Sequence, residues 1–478
     1  MEHRKSYILI LGIFFLNICF AQNFNDALRL SFPGSGSSAR ALGMGNSYIA
    51  QSDEFSGVYF NPAGLGLMRN FEFSGSLEHN GISNSVDFFN NSTKSSQNNT
   101  SFSNIGFVYP LPTFRGSMVF AIGYNKVKDF NKIMKFSGFN PNSTYIRDLT
   151  SVNDDLIYEL YLSYPTYDAD NNYTGDTTPL QNRLDQSGEI TEKGDIGAWS
   201  FAGSVEMVKG LFIGATLNLY SGTYENINIY NETDSRNIYQ GLTDPGDEGS
   251  LDFMLFNLRN DLKWDISGYD LKLGLIYQST PFIRLAGTIK FPTYYKIDEK
   301  FITEGESEFR DMIVNPERYE SDVKYDIKTP FVFEFGGSFI MYELTANAQF
   351  GYTDYTQMEF TDGLDRSLMN DNNLEISDLF RGAYNFNLGI EYFLINANTK
   401  LRCGFMYRQS PYAGDPAKYD RKYITGGVGF LFGKQFILDL GYAYGWWNNF
   451  GDNYSTNVSR TYQELSQSSL MITGRYSF

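Results

Sequence analysis

From residue 71 onward, apolar and polar positions alternate in short runs. In 434–446, Phe436, Leu438, Leu440, Tyr442 and Tyr444 fall on one parity, and Asp439, Gly441, Ala443 and Gly445 on the other. In 271–277, Leu271, Leu273, Leu275 and Tyr277 oppose Lys272, Gly274 and Ile276. Ile283, Leu285, Ile289 and Phe291 oppose Arg284 and Lys290, and Phe386, Leu388, Ile390 and Tyr392 oppose Glu391. Leu401, Cys403, Phe405 and Tyr407 oppose Arg402 and Arg408, and Leu470, Ile472, Tyr476 and Phe478 oppose Arg475. A period of two marks strands, because successive side chains point to opposite faces of a sheet. The charges stand on the face away from the apolar stripe; Lys434 is the exception and sits beside a turn at Gly433.

Fourteen segments read as strands: 71–79, 102–110, 115–127, 196–208, 210–224, 262–278, 282–297, 322–342, 343–357, 383–394, 398–409, 422–432, 434–446 and 469–478. The gaps after even-numbered strands are short, such as Lys209 alone or the near-direct turn at Tyr342-Glu343. Those after odd-numbered strands are mostly long and polar, including 128–195, 225–261, 298–321, 358–382 and 447–468. Short turns alternating with long loops are the pattern of bacterial outer-membrane barrels. A soluble sandwich alternates too, with its polar face outward. A membrane adds the requirement that no strand edge stay unpaired, and this chain has enough strands to close on itself. A lipid-facing Arg or Lys at the midplane costs ~2–4 kcal/mol, so the parity of the charges is a strong constraint. The fold expected is all-β: a transmembrane antiparallel barrel of about 14 strands spanning 70–478.

Residues 1–21 read as a secretory signal peptide, with Arg4 and Lys5 ahead of an apolar run from Tyr7 to Phe20. Asn17 and Ile18 stand where a lipoprotein signal has small residues, which argues against acylation at Cys19. No later apolar stretch reaches the eighteen residues a spanning helix needs. Composition agrees with a barrel: aromatics make up 17 % of the chain and charged residues only 19 %. A net charge of −17 disfavours nucleic acid as a partner. Beyond the signal one cysteine remains, Cys403, so no disulfide can form within the chain.

Between signal and strands lies Ser37–Gly66, SSARALGMGNSYIAQSDEFSGVYFNPAGLG. Its glycines permit close backbone approach, and Pro62 holds Asn61 extended, which suits a tightly turned plug. Ala39-Arg40-Ala41-Leu42-Gly43-Met44-Gly45 followed by Val58-Tyr59-Phe60-Asn61-Pro62-Ala63-Gly64-Leu65 resembles the N-terminal signature of the FadL/TodX outer-membrane transport proteins. The terminal Phe478, on the apolar parity, is similar to the assembly signal of outer-membrane barrels.

The resemblance implies a hatch over 22–69 inside the barrel and passive uptake of small hydrophobic compounds, long-chain fatty acids or other lipophiles. Gly43, Gly45, Asn61, Pro62, Ala63 and Gly64 would be its hatch and gating residues. The strand parity sends Ile276, Phe393, Met406, Leu431 and Ile437 inward with the charges, and these are the candidate lining of an apolar lumen site. The surroundings implied are outer-membrane lipid and lipopolysaccharide, with a monomer sufficient. Two readings of other kinds stay open: a PorV-like barrel docking a protein of a secretion system, and a surface adhesin.

Enzyme chemistry finds little purchase. After the signal one histidine remains, His79, so neither an HExxH motif nor a Cys/His zinc site can be built. Gly43-Met44-Gly45 lacks the third glycine and the βαβ setting of a dinucleotide loop. Asp168-Ala169-Asp170-Asn171-Asn172 begins like a calcium loop, but Tyr173 and Pro179 replace its glycine and bidentate glutamate. No cofactor and no metal are expected.

Overall fold

The structure, a computed structural model, describes residues 22–433 and 435–478. The expected signal at 1–21 and Lys434 lie outside the described residues. Fourteen antiparallel strands form one closed wall: β1 Glu72–Phe88, β2 Asn91–Leu111, β3 Met118–Asp129, β4 Leu184–Val208, β5 Leu211–Thr233, β6 Phe253–Thr280 and β7 Ile283–Lys290. These continue into β8 Val332–Met341, β9 Leu344–Asp354, β10 Gly382–Leu394, β11 Thr399–Arg408, β12 Arg421–Phe432, β13 Phe436–Asp452 and β14 Arg460–Ser477. Each pairs with the next. β14 returns to β1, with Ser477 opposite Glu72 and Tyr462 opposite Asp87. The seam is extended by a reciprocal pair of bonds between Phe71 and Phe478 (3.2 and 3.1 Å), whose rings stack at 5.5 Å.

The wall sorts its side chains as the parity requires. Leu273, Leu388 and Ile472 face outward at about two-fifths exposure (40, 40 and 39 %), as do their aromatic neighbours Tyr277, Tyr384 and Tyr444. Arg402, Asp439 and Arg475 point inward and are buried. Among the described residues no helix is long and apolar enough to cross a membrane.

Several strands run further than their apolar stripes. β1 and β2 form one long hairpin through Phe89 and Asn90, both at positive φ, where a loop of 80–101 was expected. Its upper half is rich in Asn, Ser and Thr and has no lipid-facing stripe, so the alternation vanishes although the ladder continues. Conversely, 282–297 and 322–342 are not single strands. The first breaks after Lys290 and resumes as Tyr294–Phe309, and the second breaks between Lys328 and Val332. Pro292 and Pro330 stand in these breaks, and neither can donate to a ladder.

Above the wall, the expected loop 128–195 is largely ordered. Lys132–Asn140 pairs with β4, and two short helices, Tyr145–Thr150 and Asp155–Glu159, bury Ile146, Leu156 and Leu160 against Phe253 and Phe309.

Replacing an outward midplane side chain by a cation tests the membrane assignment. Leu388→Arg is expected to lower the unfolding free energy by ~2–4 kcal/mol, read as a reduced denaturant midpoint in vesicles. An unchanged midpoint would place that face in water.

Candidate functional site

Residues 22–71 run along the inner side of the wall. Helix α1, Phe24–Ser31, opens with a capping box: Asn23 accepts from Asn25 and Asp26 accepts back from Asn23. Its apolar side, Ala27 and Leu30, joins a cluster with Tyr220, Trp264, Tyr295, Tyr325 and Phe360. Lys128 of β3 donates to the carbonyls of Arg29 (3.0 Å) and Phe32, holding the end of α1. The aromatic wall that could have carried a greasy lumen site is thus covered by the chain's own helix.

The next stretch, 37–54, lies against β7–β14 and β1. Gly43 and Gly45 are there for space. A Cβ on Gly43 would sit 3.1 Å from Gly427 Cα, and one on Gly45 2.6 Å from the Leu388 carbonyl oxygen. Gly45 also has φ +63, which disfavours a side chain. From the wall side, Gly389, Gly404 and Gly441 make the reciprocal approach to Met44, Gly45 and Ala39.

Ions complete this contact. Arg40 Nε donates to Glu391 (3.0 Å) and its Nη1 to Asp53 (2.8 Å). Arg402 joins Glu391 (2.7 Å) to Asp439 (2.7 Å), and Arg475 joins Asp439 (2.9 Å) to Glu54 (2.8 Å). Burial pushes the Asp53 carboxyl up, but Arg40 and Arg284 outweigh it and hold the group below its usual range.

Residues 55–68 turn to the other arc, β2–β6. Phe55 occupies the space above Gly106 and Gly123, and Val58, Leu65 and Met68 pack with Val108, Val119 and Ala202. Asn61 is fully buried: its Nδ2 donates to the carbonyls of Ile49 (2.9 Å) and Leu275 (3.2 Å), and its Oδ1 accepts from the Ala63 amide (3.0 Å). Pro62 opens a 3-10 turn, Pro62–Leu67, and lies against Gly214 and Gly274. Ala63 packs with Ile49, Phe212 and Ile276, while a Cβ on Gly64 would strike the Ser52 carbonyl at 2.3 Å.

The five lumen candidates do not converge. Ile276 is sealed against Ile49 and Ala63 and has no free surface. Phe393, Leu431 and Ile437 stand at the short-turn end, with Leu431 opposite Ile437 and Phe393 under the Lys400 ammonium (5.9 Å). Met406 lines a cavity. Inward parity was correct for all five, but parity carries no height along the barrel axis.

That cavity, of about 460 Å³, lies between α1, residues 32–35 and strands β11–β14 and β1–β3. Leu42, Met406, Tyr423, Trp447 and Leu465 form its apolar side. Its other side is polar and includes Asp129, Arg408 and Arg421. The Arg421 guanidinium lies between the rings of Phe32 (4.0 Å) and Trp447 (4.6 Å). Arg408 donates to the carbonyls of Pro33 (3.2 Å) and Gly34 (2.9 Å). A smaller cavity of about 160 Å³ adjoins it across Phe32, Pro33 and Gly34. Neither arginine could be singled out from sequence, since Arg408 read only as an inward charge and Arg421 lay at a strand end. His79 is exposed and hydrogen-bonded to Thr100 (2.7 Å); it faces away from this space, which its neighbour Asn80 lines.

Residues 260–474 match the profile of a family described as outer membrane protein transport protein (OMPP1/FadL/TodX). Among solved structures, the chain is similar to the toluene transporter TodX of P. putida, at 15 % identity and a TM-score of 0.56, covering 93 % of this chain and 99 % of that one. A FadL homologue of Pseudomonas aeruginosa gives 10 % identity and a TM-score of 0.59, covering 94 % and 100 %. The Ralstonia pickettii toluene transporter TbuX gives 17 % and 0.53, covering 93 % and 99 %. At such identities the likeness is one of fold. No curated protein matches the chain in sequence.

The close approach at Asn61 yields a test. A Cβ on Gly274 would stand 1.9 Å from Asn61 Oδ1, so Gly274→Val is expected to unseat 55–68 while the barrel still assembles. Limited proteolysis of the assembled variant should then cut between Phe55 and Met68, where the unaltered protein resists.

Proposed function

We propose that this chain, a FadL/TodX-type barrel of the bacterial outer membrane, is a passive channel for small hydrophobic compounds with residues 22–69 as its hatch. Cargo enters from the long-loop side and rests in the 460 Å³ cavity, which is within the size range of small-molecule sites. It leaves past the hatch or sideways through the wall. The observation that carries this reading is the two-sided lining of that cavity. An apolar body fits against Met406, Tyr423 and Trp447, and a polar end reaches Arg408 and Arg421.

An aromatic or aliphatic lipophile with one polar end fits that division. A hydrocarbon alone would offer the two guanidiniums no acceptor. Flux is downhill, since the chain has no nucleotide-binding motif to drive it. In the hatch, Asn61 ties two backbone carbonyls, Pro62 stiffens the turn, and Gly43, Gly45, Ala63 and Gly64 permit the close fit. Among the described residues every wall strand is paired on both sides, so a monomer within lipid and lipopolysaccharide suffices.

Two measurements test the reading. Mass spectrometry after gentle detergent extraction is expected to find a bound lipophile, lost in Trp447→Ala. Uptake should fall about tenfold or more in assembled Arg421→Ala. An empty cavity with uptake no higher than in cells lacking the protein would overturn it. Stoichiometric co-purification of a secretion component, with no uptake, would favour the docking barrel instead. Asn61→Ala and Pro62→Ala separate gating from assembly: wild-type uptake in both would remove the gating role.

A further inference from the structure

The hatch meets the wall by two different kinds of contact, divided near Phe55. Residues 37–54 face β7–β14 and β1, where Arg40, Asp53 and Glu54 enter a continuous ion network with Arg284, Glu391, Lys400, Arg402, Asp439, Arg475 and Glu72. The network holds five cations and five carboxylates. Arg402 and Asp439 have no exposed side-chain surface. Wall side chains reinforce it: Gln349 accepts from the Tyr48 amide (3.0 Å), Asn347 donates to the Ser47 carbonyl (2.8 Å) and Thr425 to that of Gly43 (3.1 Å). Residues 55–68 face β2–β6 with no carboxylate or guanidinium of their own before Arg69. They are held by packing into wall glycines and by single bonds, such as Thr216 to the Val58 carbonyl (3.1 Å) and Ser204 to that of Ala63 (3.1 Å).

Separating the first interface strands buried charges on both sides, whereas separating the second exposes mainly apolar side chains, a few neutral donors and one cation, Lys272, which donates to the Tyr59 carbonyl (2.7 Å). The first is by far the more expensive to open.

We propose that the hatch is clamped along the β7–β14–β1 arc by this network and yields only along the β2–β6 arc, so that Arg40 is a positioning residue and the Pro62–Leu67 turn is the moving edge. This rests on the reading of 22–69 as a hatch. A clamp on one side explains how a seal can open for a cargo molecule without the hatch leaving the bore. It also places cargo passage between the 3-10 turn and β4–β6, beside Gly214 and Gly274, which present no side chain of their own.

Hydrogen exchange on the full chain in phospholipid vesicles tests this without any cargo. Amides in 38–54 are expected to exchange at least about tenfold more slowly than those in 57–68. Arg40→Met should collapse that difference and admit a hydrophilic antibiotic too large for general porins, and Arg40→Lys should restore most of both. If Arg40→Met fails to assemble, Asp53→Asn, at the most exposed carboxylate of the network (28 %), serves in its place. Equal or reversed protection in the unaltered protein would overturn the proposal, as would an assembled Arg40→Met or Asp53→Asn with unchanged exchange and no leak. Since exchange needs no lipophile, these outcomes are independent of whether uptake is observed.

Discussion

A strand wall in hydrocarbon has no water to satisfy a free edge, and each unpaired backbone group there costs several kcal/mol. The pairing of β14 with β1 removes the last such edge, and the rest of the molecule follows from it. Closure fixes one parity of every strand toward lipid and the other toward the bore. Along the lipid-facing stripes the wall charges must then share a narrow interior. In a wide, water-filled pore they could be solvated. Here the bore is filled, so each needs a partner within reach.

The N-terminal segment supplies those partners. Arg40 meets Glu391, and Glu54 meets Arg475. Glycine on both surfaces brings the backbones close enough for such contacts. Gly429 shows how fine the fit is: a Cβ there would stand 2.4 Å from Asp439 Oδ1 and 2.8 Å from an Arg402 nitrogen. A buried ion pair adds little stability over an apolar pair of the same shape, but losing one member costs ~3–5 kcal/mol. The network therefore specifies one seating of the segment more than it strengthens the barrel.

How legible this was from sequence depends on what each segment faces. Runs in contact with lipid, such as 271–277 and 436–446, announce themselves because the bilayer enforces strict alternation. The upper β1–β2 hairpin faces water and polar side chains, so its Asn- and Ser-rich ladder left no such trace. The breaks at Pro292 and Pro330 could have been read from the missing donors, had the apolar runs around them weighed less. The N-terminal motif fixed where the segment would turn. It could not reveal that α1 covers the aromatic wall, because Ala27 and Leu30 look like any amphipathic helix face. Arg421 and Trp447 come together from two strands through register, and pattern along a single strand does not contain that.

Arg475 lies in the final strand, yet Glu54 from the first few dozen residues is among its partners, as is Glu72 at the start of the wall. Ring closure and the seating of the early segment thus meet at one side chain: the last strand carries a cation that Glu54 shares with carboxylates of the wall. An empty ring would leave that guanidinium to its wall partners Asp439 and Glu72 alone, so a side chain near the C-terminus ties ring closure to the seating of the early segment.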